Sequence, residues 1–149
     1  HSDWIFFDTT TSHNFITLNQ DGTVATIANG AGLAMATVDA VEDSNLQVAN
    51  FLDIGGGASK ETVLASFRKI TEYPNVKAIL INIFAGITRC DEVAKAIIAA
   101  SEEIPQLPKL YIRLEGTNRS AAERLLNESA YPLYRTLPNA LDALKKELA

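Results

Sequence analysis

From residue 24 onward, short apolar runs alternate with longer stretches whose apolar residues recur every three or four positions. The short runs, Val24–Ala28, Val48–Ile54, Ala78–Phe84, Lys109–Leu114 and Leu133–Thr136, read as strands. The third, Ala78-Ile79-Leu80-Ile81-Asn82-Ile83-Phe84, is nearly continuous in β-branched and apolar residues, as a strand covered on both faces requires. Helices are predicted between them. Gly32–Val41 is Ala-rich, and Ser59–Glu72 opens on a capping serine and stops before Tyr73-Pro74-Asn75. Thr88-Arg89-Cys90-Asp91 reads as a capping-box variant, followed by Val93/Ile97 and Ala94/Ile98 at i,i+4 spacing. Asn118–Glu128 turns Leu125 and Leu126 coreward, and a last helix aligns Leu137, Leu141, Leu144 and Leu148, with Pro138 in its first turn. Ahead of these, residues 14 to 28 alternate around Asn19-Gln20-Asp21-Gly22, predicting a hairpin of Phe15–Leu18 with Thr23–Ala28.

Five strands joined by crossover helices give an α/β fold. The expectation is a doubly wound, mostly parallel five-stranded sheet in flavodoxin-like order, preceded by a short β-hairpin. The organisation expected is one domain over residues 14–149, with 1–13 an uncertain N-terminal segment or an artificial or proteolytic chain start. In such a sheet every strand-to-helix turn lies along the carboxyl edge, and here four of them contain glycine. They are Asn29-Gly30-Ala31-Gly32, Gly55-Gly56-Gly57-Ala58, Ala85-Gly86-Ile87-Thr88 and Glu115-Gly116-Thr117-Asn118. Unpaired amides at helix starts attract anions, so this edge is the candidate binding surface.

Composition narrows the partners. A net charge of −5 argues against nucleic acid and anionic membranes, so anion binding must be local and made by the backbone. No apolar run is long enough to span a bilayer. The one cysteine, Cys90, permits no internal disulfide and fits a reducing compartment. Neither His1 nor His13 belongs to a metal-ligand spacing, and no metal site is expected. There is no nucleophile–base pair.

Each motif has a functional and a plain reading. Gly55-Gly56-Gly57 is an anion loop or a tight turn, and it lacks the G-x-x-x-x-G-K-[ST] spacing of a Walker A loop. Gly86, Ile87 and Thr88 present amides to a phosphate or carboxylate, or else Thr88 simply caps a helix beside a solvated Arg89. Asn29 hydrogen-bonds a carboxylate or supports its turn. Cys90 lies in a helix's first turn, yet without a nearby histidine it reads as a core residue rather than a nucleophile. Asp39, Glu42 and Asp43 form a solvated helix face.

Four segments occur together in one order: Asn29-Gly30-Ala31-Gly32-Leu33-Ala34-Met35-Ala36-Thr37-Val38-Asp39, Ala49-Asn50-Phe51-Leu52-Asp53-Ile54-Gly55-Gly56-Gly57-Ala58-Ser59-Lys60-Glu61, Asn82-Ile83-Phe84-Ala85-Gly86-Ile87-Thr88-Arg89-Cys90-Asp91 and Arg113-Leu114-Glu115-Gly116-Thr117-Asn118. This series resembles the C-terminal domain of the β subunit of succinate–CoA ligase over residues 15–149. The resemblance implies an ADP- or GDP-forming ligase that interconverts nucleoside triphosphate, succinate and CoA with diphosphate, phosphate and succinyl-CoA. It implies an ATP-grasp domain, absent from this chain, that binds ATP or GTP and Mg²⁺, and an α subunit that binds most of CoA and carries the phosphoryl group on a histidine. Holoenzymes of this family are heterodimers or heterotetramers, cytoplasmic in prokaryotes or in the mitochondrial matrix of eukaryotes. Carried over, Gly86, Ile87 and Thr88 form the helix N-terminus that faces the phosphohistidine and helps hold succinate, and Asn29 contacts the dicarboxylate. Gly55, Gly56 and Gly57 gain no definite role beyond an α contact or anion loop. This segment by itself is expected to bind no cofactor and to be inactive. Two positions depart from the family pattern: Ala85 replaces a glycine and Thr88 a valine. A malate–CoA ligase β subunit shares the motifs and is the alternative. A stand-alone flavodoxin-like module is the more distant one.

Overall fold

A computed structural model of the chain describes residues 5–8, 14–55, 58–86 and 88–148. Seven strands form one sheet: β1 (Ile5–Asp8), β2 (Asn14–Thr17), β3 (Val24–Ala28), β4 (Asn50–Asp53), β5 (Ala78–Ala85), β6 (Lys109–Gly116) and β7 (Leu133–Tyr134). Five helices connect or follow them: α1 (Ala31–Asp43), α2 (Lys60–Ile70), α3 (Cys90–Glu102), α4 (Arg119–Glu128) and α5 (Leu137–Leu148). The sheet order is β1-β2-β4-β3-β5-β6-β7. Its last five members are parallel neighbours, in the flavodoxin-like order expected from the sequence.

The predicted hairpin partner is corrected. β2 does not pair with β3; it runs antiparallel along β4, with Phe15 opposite Leu52, and β1 pairs antiparallel outside it. The hairpin that precedes the parallel strands is therefore β1–β2. Of the uncertain segment 1–13, residues 5–8 form β1, and the remainder lies outside the described residues. The Asn19–Gly22 turn does exist, closed by Gly22 N–H donating to the Asn19 carbonyl at 2.9 Å. It carries the chain across the start of β4, where Leu18 and Asn19 both donate to the Ala49 carbonyl. A Cβ on Gly22 would come within 2.6 Å of the Ala49 backbone, so the crossing needs glycine.

Side chains divide by strand alternation. Ile79, Ile81, Ile83 and Ala85 of β5 join a core with Phe67 of α2, Ile97 of α3 and Leu126 of α4. Ala78 and Leu80 face the opposite way, against Val38 and Val41 of α1 and Leu141 and Leu144 of α5. β5 is thus covered on both sides, which explains its unbroken apolar run. Ser59 caps α2 as predicted, its hydroxyl accepting from Thr62 N–H at 3.2 Å. Asn50 is fully buried and stands in for main chain between β3 and β4. Its side-chain oxygen accepts from Thr26 N–H at 2.9 Å, and its Nδ2 donates to the Thr26 carbonyl at 3.1 Å.

Candidate functional site

The four glycine turns sit at the carboxyl ends of β4, β3, β5 and β6, which are consecutive neighbours in the sheet. Each is tied to the next. At the first junction, Asp53 Oδ1 accepts from Gly55 N–H in its own turn at 2.9 Å and from Gly30 N–H in the β3–α1 turn at 2.7 Å. At the second, the Asn29 amide forms a two-point clasp on the Phe84 main chain. Its Nδ2 donates to the Phe84 carbonyl at 2.7 Å, and Phe84 N–H donates to its Oδ1 at 2.8 Å. At the third, Cys90 N–H donates to the Thr117 carbonyl at 2.9 Å. Gly116, with φ +135, lets β6 pass so close that an added Cβ would lie 2.5 Å from the Ala85 carbonyl oxygen. The edge is a row of mutually braced turns.

The residues singled out in the sequence are distributed as follows. Asn29 braces the neighbouring β5 end by binding the Phe84 main chain. One amide hydrogen and one oxygen lone pair remain beyond that clasp. Gly86 is exposed, and its N–H bends back to the Phe84 carbonyl at 3.2 Å. Ile87, Gly56 and Gly57 lie outside the described residues. Thr88 is partly exposed and does not cap α3: the N-cap is Arg89, without a side-chain cap bond, so the capping-box expectation is corrected. The helix starts at Cys90, so Thr88 lies one residue ahead of the N-cap, and the Cys90 amide is satisfied by the Thr117 carbonyl of the neighbouring turn. Thr88 instead lines a groove of about 460 Å³ between the starts of α2 and α3, with Ser59, Lys60 and Lys95. Both lysines are exposed and paired, Lys60 with Glu103 at 3.1 Å and Lys95 with Glu92 at 3.7 Å.

Charges around the edge are largely spoken for. Arg89 is no free solvated cation; it grips Asp91 through Nε at 3.2 Å and Nη2 at 2.9 Å. Burial pushes the Asp91 carboxyl up, but the hydrogen bonds from Arg89 and Asn118 and the Arg89 charge outweigh it and hold the group below the usual aspartate range. Cys90 is fully buried. Burial raises its thiol, against a smaller lowering by Arg119, so it is a core residue and not a nucleophile. Asp39, Glu42 and Asp43 are exposed, as expected. Among the described residues no group of His, Cys, Asp and Glu could hold a metal ion, and no helix is long and apolar enough to cross a membrane.

Sequence reasoning missed three parts of the edge. Asp53 was legible in retrospect, because Asp two positions before Gly is the signature of an Asx turn. Phe84, in a run that predicts burial, is 53% exposed beside Gly86. Below it a polar chain crosses from α1 to β6: Asn82 Nδ2 donates to Thr37 Oγ1 at 3.0 Å, and Arg113 donates to Asn82 Oδ1 and to Glu115 Oε2, each at 3.0 Å. No local pattern announces either.

Comparison with known proteins matches residues 27–146 to the CoA-ligase family. The succinate–CoA ligase [ADP-forming] subunit beta of Rhodopseudomonas palustris (strain ATCC BAA-98 / CGA009) is 49% identical over 138 residues, covering 91% of this chain and 33% of that protein. The same-named protein of Acidiphilium cryptum (strain JF-5) is 45% identical over 138 residues, covering 93% and 34% respectively. This chain therefore spans about a third of the length of the curated relatives it matches. Among solved structures, PH0766 from Pyrococcus horikoshii OT3 aligns with TM-score 0.69 at 17% identity, over 85% of this chain and 35% of that one. ATP citrate lyase from Methanothrix soehngenii, in complex with citrate and coenzyme A, aligns with TM-score 0.67 at 24% identity, over 84% and 38%. These two likenesses concern the fold alone.

Proposed function

This chain belongs to the CoA-ligase family, and from that membership we propose that it is the C-terminal domain of the β subunit of an ADP- or GDP-forming succinate–CoA ligase. In this reading it performs no covalent chemistry. The β5–α3 turn residues Gly86, Ile87 and Thr88, just ahead of the α3 N-terminus, face a phosphohistidine on the α subunit and help hold succinate, with Asn29 at their flank. ATP or GTP, Mg²⁺ and CoA belong to the rest of the assembled enzyme, and this segment is inactive without it.

One observation carries the reading. The Asn29 clasp on Phe84 and the Thr117–Cys90 bond fix both sides of the β5–α3 turn at the carboxyl edge. A turn so held presents its amides with little reorganisation, which is what stabilising a transferring phosphoryl group demands. The Gly86 N–H contact to Phe84, spanning only two residues at 3.2 Å, is a weak one. A phosphate or carboxylate oxygen, whose hydrogen bonds are roughly twice as strong, would displace it. Because Thr88 is not spent as the cap of α3, its hydroxyl could meet the hydroxyl of a hydroxylated acid, which supports malate as the second reading.

The test is calorimetric binding of the full-length β subunit to the α subunit, with the α histidine free or phosphorylated. Tighter binding to the phosphorylated form is expected, and Gly86→Pro should abolish the difference and the turnover of the assembled enzyme. Equal binding of the two forms would end the phosphate-facing role. Nucleoside diphosphate and phosphate release driven by malate but not succinate would select the second reading.

A further inference from the structure

The structure assigns to Asp53 the role of a positioning residue that sets the substrate-facing turns from the far side of the sheet edge. Its Oδ1 accepts two amides at once, Gly55 N–H at 2.9 Å and Gly30 N–H at 2.7 Å. Gly30 directly follows Asn29, so the second bond fixes the peptide from which the Asn29 side chain departs. Asn29 in turn holds both main-chain groups of Phe84 at 2.7 and 2.8 Å, and Phe84 stands two residues before Gly86. One carboxylate oxygen therefore locks a relay: Asp53, Gly30, Asn29, Phe84, then the β5–α3 turn. β3 and β4 are paired at this height, Ala28 opposite Asp53, so the relay is anchored in the sheet.

Asp53 also occupies the Gly55 amide, so a phosphate binding that amide would have to displace a carboxylate. The relay itself runs through these hydrogen bonds and not through the Asp53 charge. Its consequence for turnover rests on the ligase reading, whereas its geometry rests on hydrogen bonds within this chain.

Asp53→Ala and Asp53→Asn separate the alternatives, because asparagine retains a two-lone-pair oxygen without the charge. In amide NMR spectra of this chain, Asp53→Ala should shift Gly30, Gly55 and also Phe84 and Gly86, and Asp53→Asn should largely restore the last two. Shifts confined to Gly30 and Gly55 would overturn the relay. In the assembled ligase, Asp53→Ala should raise the KM for the dicarboxylate about 10- to 100-fold, the scale of a misplaced binding group. Asp53→Asn should recover the KM to within about threefold. Equal KM values in Asp53→Ala and wild type, or no recovery in Asp53→Asn, would overturn the role. If the wild-type assembly forms no dicarboxylate-dependent thioester, the ligase reading falls and the Phe84 and Gly86 shifts alone judge the relay.

Discussion

Asp91 illustrates how one residue can serve a site without entering it. It is buried at the start of α3, where burial raises its pKa but hydrogen bonds from Arg89 and Asn118, together with the Arg89 charge, lower it further. A carboxyl whose folded pKa is lowered contributes stability that is present above its unfolded pKa and lost as pH falls through the folded value. Urea denaturation should therefore show wild type more stable than Asp91→Asn at pH 7, with the gap closing below about pH 4, where an unfolded aspartate protonates. A gap that persists unchanged to pH 2 would mean that the ion pair with Arg89 contributes nothing. At this scale the sequence was partly legible. Thr88-Arg89-Cys90-Asp91 announced a helix start, yet the helix begins at Cys90, no side chain caps it, and the Cys90 amide is taken by a carbonyl 27 residues away, on Thr117. Local patterns cannot name a partner that tertiary packing brings in.

Among elements, the strongest constraint is the approach of β6 to β5 at the edge. The eight-residue register from Ala78↔Lys109 to Ala85↔Gly116 brings Gly116 against the Ala85 carbonyl. Gly116→Ala would meet both a φ of +135 and a contact of 2.5 Å. Such a substitution should cost about 2–4 kcal/mol in chemical denaturation and lower turnover of the assembled enzyme through the displaced α3 start. A fully stable Gly116→Ala protein would show that the two strand ends are not in contact. Strands were easier to read than their neighbours. Val24–Ala28 was bounded correctly from its apolar run, and β5 extends only one residue past its predicted end. The pairing of Phe15–Leu18 failed because alternation and the Asn19–Gly22 turn specify a strand and a change of direction, not which strand lies alongside. Asn50, with Asp53 three residues later, was legible only as part of a motif. Its substitution for main chain between β3 and β4 has no one-dimensional signature.

On the scale of the whole molecule, the architecture divides labour between two cores and one edge. Helices α2, α3 and α4 cover one face and α1 and α5 the other, while the carboxyl edge is left for the braced turns. With a net charge of −5, any attraction of an anion would have to come from oriented amides at that edge rather than from the protein's overall field. The flavodoxin-like order followed from the count and spacing of apolar runs, but the two antiparallel strands outside it did not. They matter most where the molecule meets copies of itself. Without β2, the four residues of β4 would offer unpaired main-chain groups along a rim containing Phe51 and Leu52, which are 5% and 1% exposed when the rim is covered. That is a template for edge-to-edge aggregation. A variant lacking residues 1–17 is expected to self-associate, seen as rising light scattering with concentration, while the intact chain stays dispersed. A monomeric truncated protein of unchanged stability would contradict this. By that reasoning the hairpin shields the β4 rim, on the side of the sheet farthest from β7, from pairing with another copy.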